Sequence, residues 1–155
     1  SPTARVDREG RFVLEGVQPG AHLLRAQGAP RGWALQSVEV DGRDVTDVPL
    51  DLRAGQGVSG VRLVFTDRLT EVNGRISDER GAAVTDYTVL AFADDEAKWR
   101  PLSRYLAVTR PDQTGRFQLR GLPAGTYLLA LIDPVEPGEW SDPAFLATLR
   151  ADATR

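Results

Sequence analysis

Short apolar–polar alternations recur along the chain, and turn residues break them about every ten positions. Residues 11–15 alternate around Phe12 and Leu14; residues 21–27 follow the turn GVQPG; residues 33–40 carry Leu35, Val38 and Val40. Asp41-Gly42 is a hairpin dipeptide, because a tight turn between strands needs positive φ, and 45–52 runs back from it. The segment VSGVRLVFT at 58–66 puts Val61, Leu63 and Phe65 on one face and Arg62, Val64 and Thr66 on the other. A short junction at 67–70 follows. Further strands are predicted over 71–77 (EVNGRIS), 86–93 (DYTVLAFA), 103–109, 115–120 and 126–132, with a turn at DERGAA and an acidic loop at Asp94-Asp95-Glu96. Many short strands at this spacing predict an all-β chain of sandwich type. One short C-terminal helix is predicted, with Ser141 as N-cap, Asp142 and Pro143 in its first turn, and an apolar stripe of Phe145, Leu146, Leu149 and Ala153.

One stretch occurs twice. Residues 7–26 read DREGRFVLEGVQPGAHLLRA and residues 112–131 read DQTGRFQLRGLPAGTYLLAL. Asp7, Gly10, Arg11, Phe12, Leu14, Gly16, Gly20, Leu23 and Leu24 fall on Asp112, Gly115, Arg116, Phe117, Leu119, Gly121, Gly125, Leu128 and Leu129; the turn prolines, Pro19 and Pro123, are one place out of register. An internal repeat organises every other expectation. It predicts two partial β-sandwich units, 1–68 and 69–155. The first lacks counterparts of residues 71 to about 105, and the second lacks a counterpart of 58–65. Gly32-Trp33 is expected to match Gly138-Glu139-Trp140. The missing strands are expected from flanking sequence or neighbouring chains, since incomplete sheets expose edges that invite strand addition. The absence of any Met suggests an excerpt of a longer protein.

The pattern V-N-G-R-I-S-D-E-R-G-A-A-V at 72–84, followed by D-Q-T-G-R-F-Q-L-R-G-L-P-A-G-T-Y at 112–127, resembles the carboxypeptidase regulatory-like domain. The resemblance covers most of 70–132 and returns in 7–27. It implies a prealbumin-like or immunoglobulin-like sandwich, acting as an accessory module of bacterial envelope or secreted proteins, outside the cell or in the periplasm. That family has no catalytic residues to transfer. The resemblance thus implies a non-catalytic structural or assembly role, with partners drawn from the same longer protein or from neighbouring copies through exposed strand edges.

Composition narrows the chemistry. A net charge of −3 over 155 residues gives no basic footprint for nucleic acid. No run approaches the roughly 20 apolar residues of a membrane span. Zero cysteine excludes disulfides, thiolate metal sites and thiol catalysis. The only histidine, His22, matches Tyr127 in the repeat and so reads as a strand position; no metal site built on several histidines exists. Gly55, Gly57 and Gly60 spell G-x-G-x-x-G, but a strand follows where a nucleotide fingerprint needs a helix, so no cofactor is expected. Asp41, Asp44, Asp47 and Asp51 lack calcium-loop spacing and read as a solvated hairpin face. Asp7 and Asp112 read as turn caps rather than calcium ligands. An intramolecular bond between Lys98, the single lysine, and Asn73 is disfavoured, because Lys98 sits beside the acidic loop. No carboxylate pair is singled out for hydrolysis. One constellation remains: Trp99, Arg104, Tyr105 and Trp140, which could form a stacking platform for carbohydrate or peptide, or pack beneath loops.

Overall fold

The structure, a computed structural model, describes residues 2–134 and 138–152. The chain is mostly strand, in several antiparallel sheets, with one short helix. It divides into two compact units, one made of Ser1–Ala29 with Leu35–Phe65 and the other of Pro30–Ala34 with Thr66–Arg155.

In the first unit, β1 (Gly20–His22) pairs antiparallel with β4 (Leu50–Leu52), Ala21 lying opposite Asp51. A second sheet has the order β3-β2-β5, from Arg43–Asp44, Ala34–Val40 and Val61–Thr66. Asp41 (φ 50°) and Gly42 (φ 75°) both take positive φ between β2 and β3, as the Asp-Gly dipeptide predicts. The expected return over 45–52 is not one strand: β3 pairs at 43–44, Val45 donates its N–H to the Val38 carbonyl at 2.8 Å, and only Leu50–Leu52 is laddered, to β1. The Thr46 hydroxyl then accepts the Val38 N–H at 2.9 Å, so a side chain replaces a ladder bond. Of 21–27, only the first residues are laddered, within β1. Residues 11–15 keep the expected alternation of half-buried and exposed side chains, yet they belong to no ladder.

The second unit is built around β7 (Thr88–Ala93), buried at every residue. It lies between β8 (Leu106–Thr109) and β10 (Tyr127–Ile132), antiparallel to both. A separate pair joins β6 (Glu71–Arg75) to β9 (Arg116–Arg120). Period-two geometry sends successive β7 side chains to opposite faces. Val89 and Ala91 meet Leu119 and Leu122, with Val72, Ile76 and Phe117 alongside; Leu90 and Phe92 meet Trp99, Leu128, Ile132 and Leu146. Leu146 is the inward anchor of α1 (Pro143–Arg150), flanked by Phe145 and Leu149.

The helix starts one residue later than predicted. The Asp142 carboxylate accepts the Ala144 N–H at 2.9 Å and is the N-cap. Ser141 instead spends its hydroxyl on the Gly138 carbonyl at 2.6 Å, closing the 3-10 turn Glu139–Ser141. Ala153 of the predicted stripe lies outside the described residues.

Two glycines separate backbone strain from crowding. Gly10 (φ 80°) and Gly115 (φ 77°) both sit in the left-handed region. A Cβ on Gly10 would meet nothing within 4 Å, whereas one on Gly115 would lie 2.3 Å from the Ile76 carbonyl oxygen. Gly10→Ala should therefore cost about 1 kcal/mol from conformation alone. Gly115→Ala should cost at least about 2 kcal/mol, because a backbone atom must also give way. Denaturant unfolding of the two variants checks the order; equal losses would contradict it.

Candidate functional site

The repeated stretches form the same local structure at three points. In the first, the Asp7 N–H donates to the Arg11 carbonyl at 2.8 Å and the Gly10 N–H donates to the Asp7 carbonyl at 3.1 Å. Asp7 Oδ1 accepts the N–H groups of Glu9 (3.0 Å) and Arg11 (2.7 Å). In the second, Asp112, Gly115 and Arg116 make the equivalent backbone bonds at 2.8 and 2.9 Å, and Asp112 Oδ1 accepts from Thr114 (2.8 Å) and Arg116 (3.1 Å). Asp and Gly have separate jobs in this turn: the carboxylate gathers N–H groups, and Gly takes the positive φ. At the next corner, Gly16 (φ 71°) and Gly121 (φ 77°) take the same conformation.

The third match explains the lone histidine. His22 Nε2 bonds the Gln18 carbonyl at 2.7 Å, and the Tyr127 hydroxyl bonds the Pro123 carbonyl at 2.6 Å. Both contacts reach back four residues across the second corner, at matching places. The His22 ring N–H donates, which puts its proton on Nε2. Gly32 (φ 85°) and Gly138 (φ 102°) also share the left-handed region, but β2 follows the first and α1 the second.

The Asp turn itself is used a third time. Asp78 bonds Ala82 and Gly81 through the backbone, and its Oδ1 accepts from Arg80 and Ala82, both at 2.9 Å. Gly81 takes φ 81°.

The aromatic constellation is divided by burial. Trp99 is 7% exposed; its indole N–H donates to the Ala93 carbonyl at 2.7 Å, and its ring meets Phe92 edge-on at 5.7 Å. Trp140 is half-buried and packs on the same cluster. Burial takes the Trp99 ring out of reach of a stacking partner, while Trp140 is only partly covered. Arg150 lies 5.9 Å from the Trp99 ring centroid and pairs with Asp94 at 3.3 Å and with Glu96. Tyr105 is half-buried, with Lys98 Nζ 4.5 Å and the Arg104 guanidinium 5.8 Å from its ring centroid. Leu102 adds a feature the sequence did not signal: φ is 60° and the side chain is 72% exposed. A leucine in the left-handed region is a strained residue.

The acidic cluster around β2–β4 is used locally. Asp44 accepts the Thr46 N–H at 2.9 Å and its hydroxyl, while Asp47 faces Arg25 at 3.5 Å. Among the described residues, no three His, Asp or Glu side chains gather as a metal site would require. The glycine loop at 55–60 leads into β5, and the depression beside it is lined by that loop and its approach, including Asp51, Arg53 and Gln56. No helix among the described residues is long and apolar enough to cross a membrane.

The turn carboxylates carry a pH signature. Hydrogen bonds hold Asp7 below the ordinary value of 3.8, chiefly from the Arg11 backbone N–H; Asp112 is also lowered, chiefly by the Thr114 hydroxyl and then its N–H. A lowered folded-state pKa stabilises above the unfolded value and is lost as pH falls through the folded one. NMR titration should find both carboxyls titrating below the ordinary aspartate value, with the turns loosening on acidification; an ordinary titration at either would contradict the geometry. Tyr127→Phe should cost about 1 kcal/mol by removing its hydroxyl bond, and His22→Tyr should be tolerated, as measured by thermal unfolding. No family model, curated protein or solved structure matches the chain.

Proposed function

We propose that the chain carries two copies of one β-sandwich unit, on the plan of the carboxypeptidase regulatory-like domain. It serves as a non-catalytic structural or assembly module of a bacterial cell-envelope or secreted protein, extracellular or periplasmic. One observation supports the shared plan above the rest. His22 and Tyr127, chemically unlike, hold the carbonyl four residues upstream at matching positions. A reused side-chain contact of this kind resembles the corner tyrosine of immunoglobulin-like sandwiches, which ties a strand start back to its preceding loop. The packing of Val89 and Ala91 against Leu119 and Leu122 supports a sheet-on-sheet core in the second unit.

The structural role rests on how the polar groups are spent. Asp7, Asp78 and Asp112 hold turns, Asp44 and Asp142 hold local N–H groups, and Trp99 and Tyr127 bond backbone carbonyls. These are the duties of a scaffold, and they leave no convergent acid, base or nucleophile among the groups named.

A second reading has one observation in its favour. Tyr105, flanked by Lys98 and Arg104 with Leu102 projecting nearby in sequence, could hold a carbohydrate or an acidic peptide. Glycan and peptide arrays probed with the wild type and Tyr105→Ala decide between them. The structural reading expects no ligand whose retention depends on Tyr105. A ligand retained by the wild type and lost from the folded variant would establish the second reading instead.

A further inference from the structure

Residues 11–15 have the side-chain alternation of a sheet strand, and among the described residues no strand pairs with them. Phe12 and Leu14 are half-buried, while Arg11, Val13 and Glu15 are exposed, Val13 at 73%. Among the described residues, none hydrogen-bonds the backbone of 12–15. Their counterpart, β9, is laddered to β6 along its whole length. An unpaired row of N–H and C=O groups beside half-buried apolar side chains is a template for strand addition.

We propose that residues 11–15 form the acceptor edge for an antiparallel strand of pattern basic–apolar–x–Gly–x–apolar, supplied by a partner other than a second copy of this chain. The proposal rests on the reading of 7–26 and 112–131 as copies of one unit. The pattern follows from β6 on β9. Gly74 lies opposite Phe117, and a Cβ there would come within 2.4 Å of the Phe117 ring. Phe12 stands where Phe117 stands, so the incoming strand needs glycine opposite it. Val72 faces Leu119 and Ile76 donates its N–H to the Gly115 carbonyl at 2.8 Å. The equivalent places, opposite Leu14 and beyond Arg11, therefore take apolar residues.

Charge separates this partner from β6 itself. Glu71 faces Arg120 and pairs with it at 3.7 Å. The residue at Arg120's place in the first copy is Glu15. A strand beginning like β6 would set Glu against Glu, and like charges directly opposite are destabilising. A basic residue at that position reverses the sign. The β6 strand is also engaged already with β9.

Three peptides test this on the intact chain by amide chemical-shift perturbation. KVNGRIS is the Glu71–Ser77 sequence with lysine in place of the first glutamate; EVNGRIS is that sequence unchanged; KVNVRIS replaces its glycine by valine. KVNGRIS should shift the amides of residues 11–15 and leave 116–120 unmoved. EVNGRIS should bind about two- to fivefold more weakly, and KVNVRIS more than about tenfold more weakly. Shifts elsewhere, no binding, or equal binding of KVNVRIS would overturn the proposal, and tighter binding of EVNGRIS would point to a second copy instead. The free chain's own spectra separate the two readings. A missing His22–Gln18 or Asp7–Arg11 contact breaks the shared plan; both contacts present with no peptide bound breaks the strand proposal alone.

Discussion

A carboxylate that accepts two backbone N–H groups within a tight turn is the constraint from which most of this structure follows. Asp7, Asp78 and Asp112 each do so, and each is followed three residues later by a glycine in the left-handed region. The turn fixes where the next strand starts, and with it the parity of every later side chain, since a one-residue slip would reverse the faces. In the second unit the consequence is direct. The Asp112 turn launches β9 with Phe117 over Gly74 and Leu119 toward Val89 and Ala91. Because the turn is used three times, it cannot by itself identify a copied unit. The proposed common plan rests instead on the second corner and on the His22 and Tyr127 contacts.

Around β7 the same parity builds two different environments from one strand. Val89 and Ala91 face the residues of β6 and β9, and Leu90 and Phe92 face Trp99 and Leu146. Trp99 closes the second environment because its polar atom is satisfied by the Ala93 carbonyl, so burial of the indole leaves no orphan donor. Arg150 then lies over its outer side and ties α1 to Asp94 and Glu96. Of the four candidate ligand-contact residues, Trp99 is thereby committed to packing, while Arg104, Tyr105 and Trp140 are each half-buried.

Elements whose cause is local were legible in the sequence. The Asp41-Gly42 hairpin, the apolar run of β7 and the acid- and Pro-marked start of α1 each follow from residues within a few positions. What depends on distant partners was not. The alternation of 11–15 predicts a strand, but a ladder needs a neighbour that periodicity cannot supply. Thr46 ends a strand by offering its hydroxyl to Val38, and Ser141 yields the helix cap to Asp142 by bonding Gly138. Leu102 carries no sequence signal for its left-handed backbone, and the burial of Trp99 depends on its indole N–H finding the Ala93 carbonyl.

The likeness of the two stretches requires that both share one turn in which a carboxylate holds backbone donors. Scalar couplings across hydrogen bonds, from the Arg11 nitrogen to the Asp7 carboxyl carbon and from the Arg116 nitrogen to the Asp112 carboxyl carbon, observe it most directly. Both couplings are predicted at neutral pH. A coupling at Asp112 with none at Asp7 would show that the likeness ends at the sequence.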